Sequence, residues 1–396
     1  MLKAYSETKE ISTLLNLSRK EIEEQKKKKY YCPLCNQLVR IKNGQVKIPH
    51  FAHYNKSNCR IDSENETAEH LTLKSIFAMW CEKEKIEYEL EKYLPELNQR
   101  PDLLIGNIAL EIQCSTLSTK RLVERTENYR KHGYLPIWVC GKKLFSNDKN
   151  LSELTKNLCY YSTKLGFYLW TADWEKGEVC LCFNIEETWK KEVHVSRKAW
   201  SFYSHSLLKI FDYPNKSKLY CQRKYRVDEL IQGYYAELNR KLYKRDEKIR
   251  LLQGILYNNG FHLLELPNWF YYPGLHIFCC RGSDLFLRMQ IWKWVQFFDQ
   301  NVFENLEVIH VLKTELEKSS DLFYELPNVP IDSLREECLN QIVTYLIECN
   351  HLVRVTNGWK VELGIAEHRM MDVRRWLKRI ENKYLITATP HKNVIR

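Results

Sequence analysis

Apolar positions recur along this chain at two spacings, every third or fourth residue in some stretches and every second in others, and the switches between them mark out its elements. Leu73, Ile76, Phe77 and Trp80 follow helical spacing behind Ser63-x-x-Glu66, the pattern of a capping box. A helix is expected there, with Glu69 one turn before Leu73 on the same face. Residues 86–94 alternate as a strand would. Two apolar runs, 103–105 and 108–110, flank Gly106-Asn107 and predict a β-hairpin. Ser118 can cap a helix that runs to His132 and ends at Gly133, with Leu122, Arg125, Thr126 and Tyr129 on one face. Residues 135–140 read as a buried strand closing at Gly141. Helix, three strands, helix, strand is the order of an α/β core.

Ahead of that core the pattern is different. Residues 9–29 are polar and charged and end in Lys26-Lys-Lys-Lys29, interrupted only by Leu14, Leu15 and Leu17. A short strand or helix is expected before a charged connector. Cys32-x₂-Cys35 follows Tyr30-Tyr31, residues 39–48 alternate around Asn43-Gly44 as a hairpin, and His50-x₂-His53-x₅-Cys59 comes next. Two thiolates followed by a His/Cys group suit the tetrahedral nitrogen and sulfur shell of structural Zn²⁺. Cys32, Cys35, His53 and Cys59 are the expected ligands, with His50 in reserve. Such a ribbon has little core of its own, so a metal would supply much of its folding energy. It would contact DNA or position a neighbouring domain.

With 396 residues, the chain has room for two or three domains. The expected division is a leader and zinc ribbon over 1–62, an α/β domain over 63–150, and a mainly helical region over 151–396 that binds DNA or a partner. The first boundary of that last region is expected between 145 and 165. No apolar run approaches eighteen residues and the start lacks a signal-like apolar segment, which points to a cytoplasmic location. The fourteen cysteines are spread over a large chain, so metal ligands and buried thiols are expected rather than a disulfide framework. A net charge of +11 favours an anionic partner, nucleic acid before membrane.

Within 151–396, residues 166–183 read as a hairpin turning at Lys176-Gly177, with Cys180 and Cys182 as buried thiols. Residues 220–257 read as helical and basic, with Arg240 and Lys244 interleaved with tyrosines, a mixture that grips phosphates or simply forms a salt-bridged face. Arg374 and Arg375 form a second candidate phosphate contact. The aromatic stretch 268–278 reads as strand and turn core or as an aromatic platform, and 285–303 and 331–349 as buried helices.

The chemistry concentrates between residues 99 and 115. Asp102 opens one strand of the hairpin, and Glu111 and Gln113 share one side of the other. Two carboxylates and an amide converging there would suit Mg²⁺, which takes oxygen ligands. The order Pro101-Asp102, spacer, Glu111-x-Gln113 is close to a nuclease motif that carries lysine at the last position. Taken together, Cys32-Pro-Leu-Cys35, Pro49-His-Phe-Ala-His53, Glu69-His70, Arg100-Pro-Asp102 and Glu111-Ile-Gln-Cys-Ser115 resemble the competence-protein CoiA family of natural transformation. These motifs span residues 30–141.

The resemblance implies a restriction-endonuclease-like PD-(D/E)xK core with an N-terminal zinc ribbon. It also implies metal-dependent phosphodiester hydrolysis of internalised single-stranded DNA or recombination intermediates, with recombination proteins as partners. Asp102, Glu111 and the Ile112 carbonyl would hold Mg²⁺ or Mn²⁺, with Glu69 as a third acid. Gln113 could orient a water but carries no charge. Arg125 and Tyr129 would hold the scissile phosphate or brace the acids. Two other readings stay open: a DNA-binding adaptor without catalysis, and a repair or defence endonuclease on duplex DNA.

Overall fold

A strand buried on both faces belongs inside a sheet, and every side chain from Ala109 to Gln113 is buried. The computed structural model describes residues 1–54, 59, 66–145, 151–162, 164–187, 193–216, 227–258, 260–263, 266, 270, 280–281, 285–304, 307–318 and 323–363. The described residues form three sheets.

The first comprises β1 (Lys3–Ser6), β2 (Ile11–Thr13), β3 (Tyr30–Tyr31), β4 (Leu38–Lys42) and β5 (His50–His53), with helix α1 (Arg19–Gln25) between β2 and β3. All its pairings are antiparallel, in the order β2-β1-β3-β4-β5. A capping box between Ser18 and Glu21 starts α1, which buries Ile22 against Ala4, Tyr30, Val39 and Phe51. The charged leader therefore contributes two strands and a helix. The hairpin expected over 39–48 is longer: Val39 pairs with His53 and Lys42 with His50, so residues 43–49 are the connection.

The second sheet carries the α/β core. In chain order it involves α2 (Ala68–Glu84), β6 (Glu89–Leu90), β7 (Leu103–Ile105), β8 (Ile108–Gln113), α3 (Thr119–Lys131), β9 (Leu135–Gly141), α4 (Glu153–Asn157), β10 (Tyr160–Ser162), β11 (Gly166–Asp173), β12 (Glu178–Glu187) and β13 (Val193–Ser201). The strand order is β13-β12-β11-β9-β8-β7-β6, with β10 also on β11. The β8–β9 and β9–β11 pairs are parallel and the others antiparallel. Parallel neighbours need a crossover, and α3 provides it between β8 and β9. Period-two alternation divides β8 between two cores. Leu110 and Ile112 pack with Leu73, Phe77 and Trp80 of α2 on one face, while Ala109 meets Tyr129 of α3 on the other.

Three expectations change here. Thr67 caps α2 by accepting from the His70 amide, instead of a box between Ser63 and Glu66; Ser63 lies outside the described residues. Glu66 is drawn away because its carboxylate pairs with the Met1 amine and with Lys74. The strand expected over 86–94 shrinks to β6, because Glu91 turns into the left-handed region at φ 50° and leaves the ladder. The sheet also does not end between 145 and 165. Val139 of β9 pairs with Trp170 of β11, and Leu181, Phe183 and Trp200 bury into the same core as Phe77, so strands continue to Ser201 where helices were expected. The hairpin over 166–183 is present as β11 and β12, with Asp173 opposite Glu178.

Beyond it come α5 (Leu207–Phe211), α6 (Tyr213–Lys216), α7 (Val227–Tyr243), α8 (Glu247–Asn258), α9 (Leu285–Phe297), β14 (Val302–Phe303), α10 (Glu307–Lys318), α11 (Ile331–Glu348), β15 (Leu352–Val355) and β16 (Gly358–Val361). The three strands pair in the order β14-β16-β15. Of the basic stretch over 220–257, residues 220–226 lie outside the described residues and the rest is helical as expected, α7 and α8 being separated where Arg245 adopts φ 54°. Leu238, Leu256, Trp292, Val295, Leu312, Ile342 and Leu346 share one core. This helical part touches the α/β domain, whose Tyr161 and Phe167 pack against the same core; Arg130 donates to the Pro327 carbonyl, and Asn328 Nδ2 donates to the Leu158 carbonyl at 3.3 Å. Of the aromatic stretch 268–278, only Phe270 is described, and it is buried. Among the described residues no helix is long and apolar enough to cross a membrane.

Candidate functional site

Two groups of side chains carry chemistry. In the first, a tight backbone turn at Cys32-Pro-Leu-Cys35 closes with Cys32 N donating to Gln37 O at 2.8 Å and Asn36 N to Cys32 O at 3.0 Å. Strand β5 brings His53 alongside: Cys35 Sγ lies 3.3 Å from His53 Nε2, and Cys32 Sγ lies 4.0 Å from Cys59 Sγ. All four ligand atoms are within 4.8 Å of one another. Ligands bound at ~2.0–2.3 Å around a tetrahedral Zn²⁺ are separated by comparable distances, so this Cys₃His set fits a structural zinc. Burial pushes the Cys32 thiol up to about 12, and a metal would offset that cost by holding it as thiolate. His50, the reserve candidate, is not part of the set. It sits three residues from His53 and so points to the other side of β5, where its Nδ1 meets the Ile48 carbonyl at 2.8 Å.

The second group lies around β7 and β8. Asp102 stands just before β7, and its Oδ2 accepts from the Ile112 amide of β8 at 2.9 Å. From α2, His70 Nε2 reaches the same oxygen at 2.9 Å and Lys74 Nζ reaches Oδ1 at 3.0 Å. His70 and Lys74 are four apart on one face of α2, and Glu66, just ahead of the Thr67 cap, reaches Lys74 from outside the helix. Lys74 also contacts Glu66 and, at 2.8 Å, Glu91. Glu91 accepts in turn from the amides of Leu2 at 3.1 Å and Lys3 at 3.3 Å. Burial works against charge on Glu66, Lys74, Glu91 and Asp102. It is overruled at Asp102, where His70 and Lys74 hold the carboxyl far below its ordinary range. At Glu91 the Lys74 ammonium likewise overcomes burial and holds the carboxyl at about 2. Lys74 is held well above its ordinary value by Asp102, Glu66 and Glu91 despite complete burial.

Glu111 faces α3. Its Oε1 accepts from the Tyr129 hydroxyl at 2.5 Å and from the Arg125 guanidinium, which also donates to the Arg100 carbonyl at 3.3 Å. Burial pushes this carboxyl up to about 7 against the pull of Arg125, and the charge on Asp102 adds to the rise. Gln113 folds back along its strand, its amide donating to the Ser115 carbonyl at 2.9 Å. Glu69 lies apart, over Gly141 and Cys114. Its Oε1 accepts from the Lys142 amide at 2.6 Å, while Oε2 is buried without a hydrogen-bond partner. Burial raises its pKa.

The expected Mg²⁺ or Mn²⁺ site does not fit these side chains. Both oxygens of Asp102 are committed to Lys74, His70 and Ile112, and Oε1 of Glu111 is committed to Arg125 and Tyr129. Among the described residues, Glu69, Asp102 and Glu111 do not gather as the Cys₃His set does. Arg125 and Tyr129 are directed at Glu111, not outward to a phosphate, because a buried carboxylate needs donors more than solvent does. Arg240 is paired with Glu237 at 2.6 Å on α7, Lys244 is exposed, and Arg374 and Arg375 lie outside the described residues. Sequence reasoning gave His70, Lys74 and Glu91 no site role and read Glu66 only as part of a helix cap. The four-residue spacing of His70 and Lys74 was the available signal; Glu66 and Glu91 gave none.

Residues 66–215 match the family model described as competence protein CoiA, nuclease-like domain, and residues 14–62 match that described as competence protein CoiA, N-terminal domain. The chain belongs to the CoiA family. The competence protein CoiA of Bacillus subtilis (strain 168) is 33% identical over 129 residues, which cover 32% of this chain and 35% of that relative. No solved structure gives a significant match. The nuclease-like match ends at residue 215, in line with a CoiA core whose sheet runs on to Ser201.

Proposed function

We propose that this CoiA-family chain engages DNA during natural transformation and that its nuclease-like domain binds DNA without cutting it. The observation that carries this reading is the engagement of both motif acids by donors of the same chain, Asp102 by Lys74, His70 and the Ile112 amide, and Glu111 by Arg125 and Tyr129. The substrate would be internalised single strands or branched recombination intermediates in the cytoplasm, handed on to recombination proteins. The excess of positive charge supports an anionic partner. In the N-terminal module, Arg40 and Lys42 are exposed on β4 and Arg40 lies 5.4 Å from the Tyr54 ring, a combination suited to phosphate contact and base stacking. A Zn²⁺ held by Cys32, Cys35, His53 and Cys59 would fix that surface structurally.

A hydrolytic reading is favoured by the match to a nuclease-like family domain and by the buried Oε2 of Glu69, which has no hydrogen-bond partner. Wild type and Asp102→Asn are to be compared on single-stranded, duplex and branched DNA, in Mg²⁺ and then Mn²⁺, by gel shift and by cleavage. Binding by both proteins without cleavage is expected. Cleavage by wild type that disappears in Asp102→Asn overturns the binding reading in favour of a nuclease, and cleavage restricted to duplex would make it a repair or defence enzyme.

A further inference from the structure

We propose that the Lys74 ammonium is the built-in cation of the nuclease-like centre, standing beside Asp102 where a hydrolytic site would hold a divalent metal and excluding one from it. This rests on the binding reading above and deepens it. The motif position that would carry a lysine is Gln113, whose amide is turned to the Ser115 carbonyl. Positive charge reaches Asp102 from α2 instead.

Three features make Lys74 a fixture. An ammonium has three protons, and Lys74 has three carboxylate acceptors: Asp102 at 3.0 Å, Glu91 at 2.8 Å and Glu66. Its side chain is 1% exposed. The amides of Leu2 and Lys3, at the start of β1, donate to the Glu91 carboxylate and anchor it beside Lys74. The three carboxylates are already engaged by donors of this chain, with the Met1 amine on Glu66, His70 hydrogen-bonded to Asp102, and the Arg100 charge felt at Glu91 alongside the ammonium. A divalent ion at Asp102 would have to displace Lys74 and leave it buried among fewer anions, or sit beside it and be repelled.

The test is Mn²⁺ binding, read from loss of the free-ion electron paramagnetic resonance signal, on zinc-loaded full-length protein. Wild type is expected to show no Mn²⁺ binding that depends on Asp102 at millimolar ion. The double variant Lys74→Met, Glu91→Gln removes one charge of each sign and should gain a Mn²⁺ site at least tenfold tighter than any in wild type, lost again when Asp102→Asn is added. A wild-type Mn²⁺ site that Asp102→Asn abolishes overturns the proposal, whether or not the double variant folds. So does a double variant with wild-type circular dichroism that gains no site. DNA binding measured in metal-free buffer reports separately on the binding reading, so failure of one is distinguishable from failure of the other.

Discussion

The carboxyl group of Glu69 lies against the Cα of Gly141: a Cβ built on that glycine would fall 2.8 Å from the carboxyl carbon and 2.6 Å from Cys114 Sγ. Helix α2 and strand β9 approach each other here as closely as they do because residue 141 has no side chain. Gly141→Ala should therefore push Glu69 off the Lys142 amide and lower stability by about 1–3 kcal/mol, the usual range for overpacking. Urea unfolding measures it. Glu69→Gln keeps the shape and removes a charge that burial already disfavours, so its midpoint at neutral pH should stay at or above wild type.

Glu111 predicts an unusual pH dependence. Its folded value of about 7 lies above the ordinary 4.5, so between those pH values the folded state holds a proton that the unfolded chain has released. Stability should fall as pH rises from 4.5 to about 7, by at most about 3 kcal/mol, and then level off. Glu91 acts in the opposite sense. Held at about 2, it stabilises the fold above its ordinary 4.5 and loses that contribution as pH falls toward 2. The thermal midpoint should therefore peak near mildly acidic pH. Glu111→Gln should flatten the upper limb, and an unchanged upper limb in that variant would show that Glu111 does not titrate there.

Purified protein should contain one zinc per chain. Cys32→Ser should lose it, while His50→Ala should keep it because His50 points away from the other ligands. Chelation should melt the five-stranded sheet before the α/β core, seen as earlier hydrogen exchange in residues 30–53, because the small module has little other core.

Glu91→Ala leaves Lys74 with one fewer counter-charge and the Leu2 and Lys3 amides without their acceptor. A loss of about 3–5 kcal/mol is expected, the cost of breaking a buried ion pair from one side. A loss under 1 kcal/mol would mean that solvent reaches the pair.

Much of this was legible one element at a time. Ser118 and Gly133 bounded α3 because caps are local chemistry, and Gly106-Asn107 announced the β7–β8 hairpin because turns are too. The Cys₃His set was legible because zinc ligands come in pairs at short spacings. Residues 166–201 were harder: their apolar alternation allowed a hairpin but carried no sign that β11 would dock parallel to β9. Local pattern says which residues want burial and leaves the partner open.

The sequence by itself determined which acids stand in the hairpin, that Gln113 carries no charge, and which family the motifs resemble. Only the tertiary structure decided what those acids face. Lys74 meets Asp102 across a gap of 28 residues and Glu91 across 17, while Arg125 meets Glu111 across 14. Such pairings are set by the packing of α2 and α3 on opposite faces of one sheet. A charge has no periodicity from which its partner can be read, and burial makes that partner decide whether the group is a ligand or a closed ion pair.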